Sequence, residues 1–149
     1  MTHPLHPIIV HFPIALLITA IVLGALELVL KRDALREAAT WLLGFGFMGG
    51  LVAAATGILA EEAAEEGGVP EGAIETHESL AFAALAVFAL LIVIRWLQRK
   101  RSIPNSVFLA IGVIGVVLIA LTGYFGGDLV YRYGAGVERP APAATHETP

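Results

Sequence analysis

The sequence predicts an all-α membrane protein: a four-transmembrane-helix up-down bundle, built from two duplicated helical hairpins with pseudo-two-fold symmetry. Three observations predict it. The 149 residues are 57% hydrophobic and only 15% charged, with mean hydropathy +0.80, where soluble domains carry about 25% charged residues. Four stretches reach the roughly 20 apolar residues that a helix needs to cross a bilayer. Rare polar residues recur at a single internal shift of the chain.

The first span runs from about residue 8 to 30 and the second from about 41 to 60. The third covers about 80–97 and the fourth about 107–125. The connections read KRDALREAAT, EEAAEEGGVPEGAIETHES and RKRSIPNS. Gly67, Gly68, Pro70 and Gly72 break the middle one, and connections this short favour antiparallel neighbours. Glu27 stands one helical turn before Lys31 and is expected to pair with it. No Lys or Arg precedes the first apolar run and no small-residue cleavage pattern follows it, so the first helix reads as a retained span rather than a signal peptide.

Seven of the nine basic residues lie in or beside the two outer turns: Lys31, Arg32, Arg36, Arg95, Arg99, Lys100 and Arg101. Glu61, Glu62, Glu65, Glu66, Glu71, Glu75, Glu78 and Asp128 fall on the other side. The positive-inside rule puts the basic turns in the cytoplasm and both termini outside, as a multi-pass membrane protein; the resemblance described below implies that the membrane is a bacterial cytoplasmic one and the outside its periplasm. Tyr124, Tyr131 and Tyr133 suit an interfacial aromatic belt. The four-helix domain is expected over residues 1–137. The Pro/Ala-rich remainder, ERPAPAATHETP at 138–149, reads as a flexible periplasmic tail.

The chain has no cysteine, which excludes disulfides, zinc–thiolate sites, iron–sulfur clusters and covalent c-type haem within it. Its basic residues flank spans and form no nucleic-acid footprint. No GxSxG, Walker loop or HExxH is present, so a self-contained enzyme is not expected.

A shift of 66 residues carries His11 onto His77, Thr56–Gly57 onto Thr122–Gly123, Glu62 onto Asp128, and Gly46 and Gly49 onto Gly112 and Gly115. The repeats are then 11–62 and 77–128. Two hairpins with an even number of spans have the same orientation, so the first and third spans become diagonal partners. This places His11 and His77 face to face near the external side, with Glu62 and Asp128 flanking them. Ionisable residues at such depth are functional by default.

Two chemistries fit that constellation. His11 and His77 can be the axial ligands of one b-type haem, with Gly57 and Gly123 leaving room for the ring. The carbonyl of Ile9, freed by Pro13, or the hydroxyl of Thr56 or Thr122 can then orient an imidazole. Alternatively His11, His77, His6, Glu62 and Asp128 hold a divalent metal. His3 and His6 have no repeat mates at this shift and belong to the rim. The glycines equally serve close helix packing, as in Gly46-xxx-Gly50 and Gly123-xxx-Gly127.

HPLHPIIVHFPIAL at the start and GGDLVYRYGAGV after the fourth span resemble a bacterial membrane family catalogued as domain of unknown function 2231. The resemblance runs from His3 to about Val137. It rests on His6, Pro7, Val10, His11, Phe12, Pro13, Gly57, His77, Gly126, Gly127, Leu129, Val130, Tyr131 and Gly134. Similar domains occur beside or fused to cytochrome c and Rieske-type modules, which implies a respiratory setting. The resulting expectation is a membrane electron-transfer protein or subunit with a bis-histidine haem b, working between quinone and a periplasmic acceptor. The other expectations are a divalent-metal protein, or a cofactor-free membrane anchor for a redox partner.

Overall fold

A computed structural model describes residues 5–137 of the chain. It is all-helical: α1 Leu5–Ile9, α2 His11–Leu30, α3 Asp33–Glu66, α4 Glu71–Gln98 and α5 Asn105–Tyr131. Helix α1 runs almost without a break into α2, since the amide of Val10 still donates to the His6 carbonyl at 3.1 Å. Four helical units are long and apolar enough to cross a membrane: Leu5–Leu30, Asp33–Glu66, Glu71–Gln98 and Asn105–Tyr131.

The helices outrun the apolar stretches that announce them. KRDALREAAT is not a loop; only Lys31 and Arg32 separate α2 from α3. The acidic EEAAEE run continues α3 to Glu66, leaving four residues as the middle turn. Ala, Glu, Leu and Arg are strong helix formers, so polarity ends the membrane span without ending the helix. The helices stop where the backbone must turn: Lys31 is left-handed at φ 51, Gly68 has φ 89, and Pro70 and Pro104 precede the next helices in extended conformation.

Each hairpin packs intimately within itself, as α2 on α3 and α4 on α5. The hairpins then meet along two seams, α3 with α4 and α2 with α5. Helices α2 and α4 therefore occupy one diagonal and α3 and α5 the other, as the sequence predicts. Leu17, Ala20, Leu43, Phe88, Leu91 and Phe108 form the centre. Much of the remaining surface is large and apolar, including Val29, Leu59, Trp41 and Val113, as a bilayer-facing bundle requires.

The buried positions correspond between hairpins, but not at the shift of 66. In α2 they are Pro13, Leu17, Ala20, Ile21, Gly24 and Glu27; in α4 they include Ala84, Phe88, Leu91 and Arg95. A shift of 71 carries Pro13, Leu17, Ala20 and Gly24 onto those four. In α3 the buried Ala39, Leu43 and Gly46 map onto the buried Phe108, Gly112 and Gly115 of α5 at a shift of 69. Contacts follow the same rule. Leu17 packs on Gly46 and Phe88 packs on Gly115. Between matched positions the second hairpin is two residues shorter, Arg95 to Phe108 against Gly24 to Ala39, so no single gapless shift aligns both of its helices with the first hairpin.

Candidate functional site

The histidine that meets His77 is His6. Their ring centroids are 6.2 Å apart with the planes at 86°. The reason lies in helical geometry. Five residues span about 500°, so His6 and His11 point about 140° apart on nearly continuous helix. His6 stands in register with the buried stripe Pro13, Leu17, Ala20 and Gly24. His77 holds the same place above Ala84, Phe88, Leu91 and Arg95. His11 lies on the exposed side, where its Nδ1 donates to the carbonyl of Pro7 at 2.6 Å.

Both inner imidazoles are anchored in the same way. His6 Nδ1 donates to the carbonyl of Ala53 at 2.8 Å, and His77 Nδ1 donates to the carbonyl of Thr122 at 3.0 Å. Four residues beyond each acceptor, one helical turn, stands a glycine against the ring. A Cβ on Gly57 would lie 3.2 Å from His6 Cε1, and one on Gly126 would lie 2.9 Å from His77 Cε1. Acceptor and glycine on α3 thus match acceptor and glycine on α5 at the shift of 69. A carbonyl can only accept, so Nδ1 carries a proton, and in the neutral ring the lone pair is then on Nε2.

The other expected site residues fall as follows. The Thr56 hydroxyl donates to the Ala53 carbonyl at 2.9 Å and lies 3.4 Å from His6 Nδ1. Thr122 contributes its carbonyl; its hydroxyl donates back to Leu118. Main-chain oxygens, rather than hydroxyls or Ile9, orient the rings, because helical carbonyls one turn before a glycine are open to a side chain from the neighbouring helix. Gly123 faces open space and carries no ring; Gly126 takes that part. Glu62 is exposed, and Asp128 faces Arg132 at 3.9 Å. His6, His11, His77, Glu62 and Asp128 do not converge. Among the described residues no three His, Cys, Asp or Glu side chains come together as a metal site. His3 and the 138–149 tail lie outside the described residues.

A second polar cluster stands at the far end of the bundle, about 30 Å along α2 from His6. Glu27 is buried but does not pair with Lys31. Arg36 donates to it at 2.6 Å and Arg95 at 3.1 Å. Lys31 is excluded because α2 ends there in a left-handed residue. Arg95 is 4% exposed, lies over the Phe108 ring at 3.7 Å, and also donates to Gln98 and Asn105. Sequence reading assigned Arg95 only to the basic turn. Its place one stripe position from Ala84, Phe88 and Leu91 is the signal that marks it as inward-facing.

The profile of a family described as "Predicted membrane protein (DUF2231)" matches residues 2–139. The chain belongs to the DUF2231 family. That match spans every helix and both histidines of the inner pair. DUF2231 membership and four long apolar helices together make this a membrane protein. No curated protein and no solved structure matches the chain.

Proposed function

We propose that this DUF2231 protein binds one b-type haem between His6 and His77 and serves as an electron-transfer protein or subunit of the membrane. One observation carries the reading: two imidazoles 6.2 Å apart, each with Nδ1 committed to a backbone carbonyl. Two imidazole nitrogens each about 2.0 Å from one shared metal, with about 1.1 Å from nitrogen to ring centre, would put the centroids about 6.2 Å apart. Metal-binding histidines characteristically donate their second nitrogen to a carbonyl or carboxylate, which fixes the tautomer and the ring's direction. Here the two carbonyls do this.

The donor set also selects the kind of metal. A bare divalent ion needs four or more ligands from the protein or water, and among the described residues no third side-chain ligand joins this pair. An iron porphyrin would need only two ligands from the protein, and His6 and His77 would supply them. When bound, such a group supplies reversible one-electron chemistry. The chain's residues supply the rest: His6 and His77 hold and orient, Gly57 and Gly126 let the rings lie close to α3 and α5, and the surrounding apolar helices exclude water.

The same proposal places the histidine end at the periplasmic face of a bacterial cytoplasmic membrane. Its support is the segregation of Lys and Arg to the other end. Quinone on one side and a cytochrome c or Rieske-type protein on the other are the partners this setting offers.

The test is the optical spectrum of the purified full chain, with metal analysis alongside. A reduced b-type spectrum at one haem per chain is expected, lost in His6→Ala and equally in His77→Ala, and no worse in the double variant. His11→Ala retains it. Stoichiometric zinc or copper without haem would replace the reading by a metal site. Binding of neither would leave a cofactor-free anchor.

A further inference from the structure

The seam between α2 and α5, with the α2–α3 turn that closes it, carries two cavities in a particular order. At the basic end is a cleft of about 250 Å³ lined by Glu27, Leu28, Lys31, Arg32, Arg36 and Asn105. One turn deeper begins a groove of about 240 Å³ lined by Ile18, Ile21, Ala25, Val113, Val116 and Val117. The groove is apolar and open on one side to the surroundings of the bundle. Ile18, Ile21, Ala25 and Leu28 follow one face of α2 at helical spacing, so the groove leads directly to the cleft.

The cleft is cationic on balance. The Glu27 carboxylate is already bound by Arg36 and by the buried Arg95 behind it. Asp33 adds one more carboxylate to the lining. Lys31, Arg32 and Arg36, with Arg95 behind them, are four cations against the two carboxylates of Glu27 and Asp33. Lys31 adopts φ 51, a left-handed backbone where helix ends normally place glycine, and this turns it into the cleft mouth.

We propose that this seam holds one anionic phospholipid, its headgroup phosphate among Lys31, Arg32 and Arg36 and one acyl chain in the Ile18–Val117 groove. A polar cationic cleft capping an apolar groove has the shape and order of such a molecule. Basic pockets between spans are the chemistry that recognises lipid phosphate. A free phosphate would use the cleft alone and leave the groove without a part. This seam is distant from the histidine pair, so the proposal is independent of any haem.

The probe is phosphatidylglycerol, set against phosphatidylcholine and against inorganic phosphate, with native mass spectrometry of the delipidated full chain in detergent. Wild type is expected to retain one phosphatidylglycerol per chain, roughly tenfold in preference to phosphatidylcholine. Lys31→Gln with Arg32→Gln, both exposed, should remove that preference. Ala25→Phe fills the groove without touching charge and should weaken retention as well. Arg99→Gln with Lys100→Gln, at the other basic turn, should change nothing. Equal retention of the two lipids overturns the proposal, and this comparison needs no variant. So does equal loss in the Arg99/Lys100 control, or full competition by inorganic phosphate with no effect of Ala25→Phe, which would assign the cleft to a free anion.

Discussion

The two ends of the bundle occupy corresponding places in the two hairpins and have been treated oppositely. At the histidine end the correspondence is kept: His6 with His77, Ala53 with Thr122 as the carbonyls that accept from them, Gly57 with Gly126. At the basic end it has been lost. Gly24 stands opposite Arg95, Glu27 opposite Gln98, Arg36 opposite Asn105 and Ala39 opposite Phe108. There Arg95 reaches across from α4 to Glu27 on α2, its partner's glycine leaving the space that Phe108 and the guanidinium fill. Equivalence is what a ligand with two like faces demands of both hairpins. An ion pair needs only one donor and one acceptor, so a duplicated pair is free to diverge into complementary halves. With the proposed haem between His6 and His77, the difference would separate a place that binds from a place that holds the hairpins together.

That separation can be broken by stability measurements. The largest effect is expected from Arg95→Met, which takes from the buried Glu27 its one buried cation and leaves it Arg36 alone. About 3–5 kcal/mol should be lost on denaturant unfolding in detergent. Combining it with Glu27→Leu should recover most of that and keep the haem spectrum; a cost below about 1 kcal/mol for the single change would mean that the network holds nothing. Next comes Gly126→Ala, whose new Cβ meets the His77 ring at 2.9 Å. A loss of about 1–3 kcal/mol is expected, with disturbed haem binding, and Gly57→Ala should follow in the same direction but less. Gly123→Ala meets nothing and should raise stability by about 0.5–1 kcal/mol through helix propensity. If it abolished the spectrum instead, the ring would reach a face of α5 that the imidazole contacts do not touch. Smallest is His11→Ala, expected within about 0.5 kcal/mol of wild type and spectrally silent. A lost spectrum there would return the ligand role to His11.

The four spans, their turns and their diagonal arrangement were legible because hydrocarbon length and short connections leave few alternatives. Helix ends were not, since Glu61–Glu66 and Asp33–Arg36 are polar and yet good helix formers. The site was half legible. His77 stood out through its match to His11 at the gapless shift of 66, but the same shift obscured its partner, because it places identical residues over one another along the chain without matching their faces. Counting the helical angle from Gly24 and Pro13 selects His6 over His11. Glu27 misled for a related reason: Lys31 is its neighbour by spacing, but the helix ends before the spacing applies. Arg95 looked like one more cation at a membrane edge until Phe108 and Asn105 were seen to surround it.

Both imidazoles are aimed by main-chain oxygens. One acceptor belongs to an alanine and the other to a threonine, and neither side chain is needed for the bond. Positions 53 and 122 are thus free to drift among small residues without disturbing the tautomer, while the glycines at 57 and 126 are not. Over generations the visible record of the site would shrink to two histidines and two glycines. The groups that set the chemistry of the pair would leave no trace in the letters of the chain.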